Sequence, residues 1–314
     1  MDRRGFLRSS VALAALAAAG PALAQDRLVV LGSVPSLGFP FFVHMLNQIK
    51  AEAEAQGVDL IESDGQNSAP KQTADIEAAV VQGVNAIVIS PLDVNALAPA
   101  VEAAIQAGVP VVTIDRRVDG VKGILAHVGA DNVKGGEAQA QAIIAAFPDG
   151  ARIFNLQGQP GAGPAIDRNQ GVHNVLDPVA DKYQIIFEQT ANFARAEALT
   201  VTEAGLAANG EPDVIVCAND DMALGAIEAC AARGFTKVKI YGFDALPEAL
   251  VAVRDGTMAG TVEQFPGEQS RTAVRIAVAF AKDGTAPESD LVLLTPIVIG
   301  QDNLDQAERI GEAG

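Results

Sequence analysis

The stretch 86–116, AIVISPLDVNALAPAVEAAIQAGVPVVTIDR, decides the fold. Its two apolar runs, 86–90 and 109–115, are continuous and rich in Val and Ile. Runs that do not alternate with polar residues belong to parallel strands buried on both faces. The segment between them, near 94–107, is alanine-rich and helix-periodic. A parallel pair needs such a crossover. Working outward, the unit repeats. Strands are expected upstream at 28–32 and 58–63, with amphipathic helices near 41–56 and 71–83. Downstream the pattern starts again, with strands at 152–157, 184–188, 213–218 and 238–243. Helices are expected there near 132–147, 166–177, 195–209, 221–233 and 245–254. Two successive sets of strand–helix units predict an α/β protein of two doubly wound parallel-sheet lobes.

Composition narrows the function. Of 314 residues, 49% are hydrophobic and 19% charged, which suits a large core and excludes a disordered chain. The length points to two domains, since single cores stop growing near this size. Lys+Arg 22 against Asp+Glu 39 leaves a net charge of −17. Nucleic acid is thereby excluded as the main partner, because phosphate binding needs a basic face. Two cysteines build neither a disulfide framework nor a four-thiolate metal site. Cys217 falls in a predicted strand and Cys230 on the following helix; both read as core thiols, with a disulfide between them left open.

Residues 1–24 read as a targeting segment: a basic head with Arg3-Arg4, an apolar stretch, and Ala22-Leu23-Ala24 as a cleavage site. The apolar part, 11–24, is shorter than the roughly 20 residues that span a bilayer. The arrangement resembles a twin-arginine export signal, with Asp2 and Arg8 in place of the commoner Ser and Lys. Cleavage after Ala24 and a periplasmic destination are expected, and losing this basic head makes the remainder more acidic still.

Ligands of doubly wound sheets bind outside the carboxyl ends of the strands. The polar residues expected there are Ser90, Asp115 with Arg116, Asn219 and Asp244. Any one of the Asp or Asn residues could simply cap a helix. Two acids, an amide and a guanidinium at equivalent strand ends instead suit a neutral, hydroxyl-rich ligand. Carboxylates and amides accept its hydrogen bonds, while Arg donates in a fixed fork. Phe39, Phe41 and Phe42 flank Pro40 at the start of the first helix. Core packing would account for each, and so would a wall for the C–H face of a sugar. Phe193 sits at the corresponding strand exit of the second set, and Arg168 near the start of its helix.

Catalytic chemistry finds no footing. The glycine cluster at 156–163 has neither dinucleotide spacing nor a phosphate-loop Lys. His44, His127 and His173 lack metal-ligand spacing, and no Gly-x-Ser-x-Gly elbow occurs. No catalytic residue, cofactor or metal is expected.

A series of short motifs runs in fixed order along the chain. They are Pro40-Phe41-Phe42, Asp64-Gly65-Gln66-Asn67, Ile114-Asp115-Arg116, Asp131-Asn132 with Gly135-Gly136, and Leu156-Gln157-Gly158. Asn219-Asp220-Asp221-Met222-Ala223-Leu224-Gly225, Gly242-Phe243-Asp244 and Glu263-Gln264-Phe265-Pro266 follow. With these, the chain resembles the periplasmic sugar-binding proteins of ABC importers, of the ribose-binding type, over essentially 27–300. Their fold, the type I periplasmic binding protein fold, is shared with the lac repressor core. The resemblance implies a monosaccharide or sugar alcohol held in an interlobe cleft and passed to an inner-membrane permease. It implies stacking by Phe41, Phe42 and Phe193, and hydroxyl contacts from Asp115, Arg116, Arg168, Asn219 and Asp244. Gln264 would contact the sugar from a crossover. Phe39 and Ser90 stand where ribose-binding relatives have Asn, and Pro35 where they have Ser, so a different pentose, a hexose or a polyol is as fitting as ribose.

The resemblance also implies a three-segment hinge, near 130–131, 264–265 and 293–296. The N-terminal lobe would be 25–130 plus 265–293 and the C-terminal lobe 131–264 plus 294–314. A monomer is expected, since the protein must dock a permease. The alternative is a periplasmic enzyme acting on a sugar; a repressor would need an N-terminal helix-turn-helix where this chain has a signal.

Overall fold

The structure, a computed structural model, describes residues 27–314, so the expected signal at 1–24 lies outside the described residues. The chain runs β1 (Val29–Val34), α1 (Pro40–Gln56), β2 (Asp59–Asp64), α2 (Ala69–Gln82), β3 (Ala86–Ile89), α3 (Ala98–Gln106), β4 (Val111–Ile114) and β5 (Ala126–Ala130). It continues with α4 (Asn132–Ala146), β6 (Ala151–Gln157), α5 (Gly163–Leu176), β7 (Tyr183–Thr190), α6 (Arg195–Asn209), β8 (Val214–Cys217), α7 (Asp220–Ala232), β9 (Lys239–Tyr241), α8 (Pro247–Arg254) and β10 (Thr261–Glu263). It ends with α9 (Pro266–Asp283), β11 (Leu291–Leu294), β12 (Ile297–Ile299) and short 3-10 turns.

The first sheet is six-stranded and parallel, in the order β11-β5-β4-β3-β1-β2. The second is four-stranded and parallel, β7-β6-β8-β9. Strand β3 shows why the runs are continuous. Ala86 and Val88 face one core with Met45 and Ile49 of α1 and Val274 of α9. Ile87 and Ile89 face the other, with Ile76 of α2 and Val101 of α3. All four are fully buried, so no polar residue is tolerated on either side.

Helix boundaries follow local chemistry. Ser68 caps α2 through the Lys71 amide, and Pro40 occupies the first position of α1, where no amide proton is needed. Gly57 ends α1 in the left-handed region (φ 70), returning its amide to Ala53 and Glu54. Helix α3 starts at Ala98 rather than near 94, because Asp93 Oδ1 draws the amides of Asn95 and Ala96 (both 2.8 Å) into a turn.

The chain passes between the sheets three times, from β5 to α4, from β10 to α9, and from β11 to β12. Antiparallel pairing of β10 with β12, Val262 opposite Val298, ties two of these passages together. Sequence reading misses β5, β10, β11, β12 and α9, all of which flank the three passages between the sheets. Among the described residues no helix is long and apolar enough to cross a membrane.

Candidate functional site

Both sheets reverse direction of growth next to their first strand, between β1 and β3 and between β6 and β8. Loops diverge at such a point and leave a crevice at the carboxyl edge. The two crevices face one another across a narrow cleft, about 360 Å³ of empty space when the open solvent at its mouth is counted. Phe39, Phe41, Phe42, Asp115, Arg116, Arg168, Phe193, Asn219, Asp244 and Gln264 all line it.

On the first-sheet side, the start of α1 places the three phenylalanines as an edge-to-face group. Phe41–Phe42 centroids are 5.3 Å apart and Phe39–Phe42 6.3 Å. Asp115 leaves β4 with a left-handed backbone (φ 57). Burial raises the pKa of its carboxyl, against the pull of Arg116 and Arg168. The Arg116 guanidinium donates to Leu92 O (2.9 Å) and lies 5.1 Å from the Phe42 centroid and 5.6 Å from that of Phe193. It thus bridges the two sides. Burial lowers its pKa to about 10.

On the second side, Arg168 reaches in from α5 and is wholly buried rather than exposed. Its Nε donates to Asn132 Oδ1 (2.8 Å) and Nη1 to Ala218 O (2.6 Å), while the guanidinium stacks 3.6 Å from the Phe243 centroid. Asp244 (φ 111) accepts from Gln264 Nε2 (2.6 Å) and Arg168 Nη1 (3.4 Å). Burial pushes its pKa up to about 7, only partly opposed by Arg168. Phe193 (φ 62) lays its ring against Gly158, where an added Cβ would sit 2.2 Å from Cζ. That contact accounts for one glycine of the 156–163 cluster.

Asn219 serves two ends. Its Oδ1 caps α7 at the Met222 amide (3.0 Å), and its Nδ2 donates to Phe193 O (3.1 Å). Ser90 does not line the cavity. It is fully buried behind Asp115 and donates to Oδ2 (3.2 Å), so it orients that carboxylate instead of reaching a ligand. Two lining residues escape sequence reading, Pro164 and Asp221. Asp221 sits in the first turn of α7, where an acid reads as a helix-end charge.

The lips of the cleft touch. Arg117 pairs with Asp167, Val94 N donates to Gly161 O (3.0 Å), and Gln159 Nε2 donates to Asn67 Oδ1 (3.2 Å). Inside, Arg116 Nε and Gln264 Oε1 are buried without a hydrogen-bond partner. The histidines stand elsewhere: His127 on Thr113, His173 between Asp177 and Glu188, and His44 near Glu308 and Glu312. Among the described residues no group of three His, Cys, Asp or Glu could hold a metal, and Cys217 and Cys230 are buried and free.

Residues 31–286 match the family model described as periplasmic binding protein domain. The chain belongs to this family. It is 42% identical to the ribose import binding protein of Bacillus subtilis (strain 168) over 236 residues, 74% of this chain and 75% of that protein. The Caulobacter myo-inositol binding protein, solved with myo-inositol bound, superposes with TM-score 0.87 at 45% identity, covering 91% of this chain and 97% of that one. A Bacillus halodurans C-125 solute-binding protein with bound myo-inositol gives 0.84 at 29% identity, covering 89% and 96%. The protein is a solute-binding component of the kind that serves ABC importers of sugars and polyols.

Proposed function

We propose that the protein captures a cyclic polyol, with myo-inositol the first candidate, and delivers it to an ABC permease without transforming it. The observation that carries this reading is the convergence of polar groups from both sides, Arg116 Nε and Gln264 Oε1 unpartnered among them, between phenylalanine walls. An unmade buried hydrogen bond costs about 1–3 kcal/mol. Ring hydroxyls from a ligand satisfy such atoms, so binding and closure stabilise one another. Phe39, standing where ribose-binding relatives have Asn, adds an aromatic face to the wall and favours a ring with a broad C–H face over ribose. The 45% identity to a protein solved with myo-inositol supports the same choice.

In this reading the binding residues are Phe39, Phe41, Phe42, Asp115, Arg116, Arg168, Phe193, Asn219, Asp244 and Gln264, with Ser90 supporting Asp115. The lobes are 25–130 plus 265–293 and 131–264 plus 294–314. The protein is a periplasmic monomer, exported by a twin-arginine signal cleaved after Ala24, with no enzymatic activity and no nucleic-acid partner. Thermal-shift and calorimetric titration across pentoses, hexoses and cyclitols tests it. Myo-inositol should give the tightest binding; a pentose bound more tightly would overturn the cyclitol assignment.

A further inference from the structure

Asp221 is the polar wall residue that the strand-end rule does not reach; its place in the first turn of α7 suits a helix-end charge, and it also lines the cavity. Among the described residues its carboxylate makes no hydrogen bond, whereas Asp115, Arg116, Arg168, Asn219, Asp244 and Gln264 each have a protein partner. The two guanidinium groups of the wall are already matched with acids. Arg116 lies 3.8 Å from Asp115, and Arg168 lies 3.4 Å from Asp244. Asp221 is therefore a third carboxylate with no guanidinium of its own in the cavity. The cation that acts on it is Arg195, itself held by Glu228 (2.7 Å) and Glu248 (2.9 Å). The adjacent Asp220 is committed to Thr261 Oγ1 (2.7 Å) and the Leu246 amide (2.8 Å).

We propose that Asp221 contacts the ligand and that its end of the cleft accepts a protonated amine, so that the site takes amino-substituted cyclic polyols as well as neutral ones. An ammonium offers three donors and a charge, and a charge-assisted hydrogen bond is roughly twice as strong as a neutral one. Burial lifts the Asp221 pKa to about 6 against the pull of Arg195, so near neutral pH the carboxylate is largely ionised and open to a cation. The inference rests on the cyclic-polyol reading and extends its substrate class.

The test is calorimetric titration near neutral pH of the wild type and Asp221→Asn. The ligands are myo-inositol and the set of inositols in which one hydroxyl is replaced by an amine. At least one amino-deoxy inositol should bind the wild type as tightly as myo-inositol. Asp221→Asn should weaken that ligand at least about tenfold more than it weakens myo-inositol. The proposal is overturned if every amino derivative binds the wild type more than about a hundredfold more weakly than myo-inositol, or if the substitution weakens both classes equally. Should no neutral polyol bind the wild type, the polyol reading itself falls, an outcome distinct from loss of the amine preference alone.

Discussion

Asp244 shows how burial and partners divide the work of a single residue. Its carboxylate lies between Arg168 and Gln264, and desolvation holds its pKa near 7, so its charged form contributes little to the ligand-free protein. Arg168 keeps Asn132 and Ala218 O when Asp244 is removed, whereas a ligand hydroxyl loses its acceptor. Asp244→Ala should therefore weaken polyol binding by about a hundredfold, in line with hydrogen bonds to charged groups. The thermal transition of the ligand-free protein should barely move. Wild-type affinity in a calorimetric titration would remove Asp244 from the site. Phe193→Ala should cost about 1–3 kcal/mol of binding, as for other buried aromatic anchors. An affinity change below about twofold would leave Phe193 a packing residue for Gly158 only. Asp115, Asn219 and Asp244 were legible from sequence because a strand end is a place the topology defines. Ser90 and Asp221 were not. Whether a side chain stands behind its neighbour or beside it depends on the loop's path, which no periodicity records.

The same limit operates on whole elements. Strands β3, β4 and β8 were plain in the sequence because both faces are apolar. Strand β5 was hidden by His127 and Gly129, and β11 by its short, half-exposed LVLL run at the sheet edge. Helix α9 carried readable signals, Pro266 at its start and Gly284 (φ 77) at its end. Its packing on α1 and on β3 to β5 sets it against the first sheet, a placement that no periodicity records. These hinge-linked elements also reach the site. Asn132, the first residue of α4 after the β5 passage, donates to Ala130 O (3.3 Å) and holds Arg168 Nε. Gln264, in the β10 to α9 passage, holds Asp244. The passages between the sheets thus also hold two residues of the cavity wall, Arg168 and Asp244. Asn132→Ala should weaken binding about tenfold or more, because a hydrogen bond to a guanidinium is worth roughly 1.5–3 kcal/mol. In an Arg168→Ala background the same substitution should have almost no further effect on affinity. Additive losses in that double-mutant cycle would mean that Asn132 acts only on general stability.

For the molecule as a whole, the buried acids set how stability varies with pH. Burial lifts the pKa values of Asp244 and Glu263 to about 7, and raises those of Asp115 and Asp220. The folded protein therefore holds protons that the unfolded chain releases above its ordinary carboxyl range. Stability from these groups is fully present below about pH 4 and is lost as pH rises through about 7. Two histidines act in the opposite sense. His127, driven down to about 4 by burial and Arg117, and His44, lowered chiefly by burial, stay neutral in the fold while the unfolded chain protonates them below its ordinary 6.5. Their contribution is lost as pH falls below that value, and His173, whose pKa is raised by Asp177 and Glu188 against a desolvation cost, offsets part of it. The two trends meet near pH 6. Scanning calorimetry of the ligand-free protein should show Tm falling by several degrees between about pH 6.5 and pH 8, where the histidines no longer compensate. Glu263 is the sharper probe. It is fully buried and accepts the amides of Phe265 (2.5 Å) and Glu308 (2.8 Å) at the hinge, away from the cavity wall. Glu263→Gln removes one titrating acid without touching a wall residue, so the decline should become shallower while myo-inositol affinity changes little. A Tm that rises across this range, or a slope unaltered by Glu263→Gln, would show that these acids titrate normally in the folded protein.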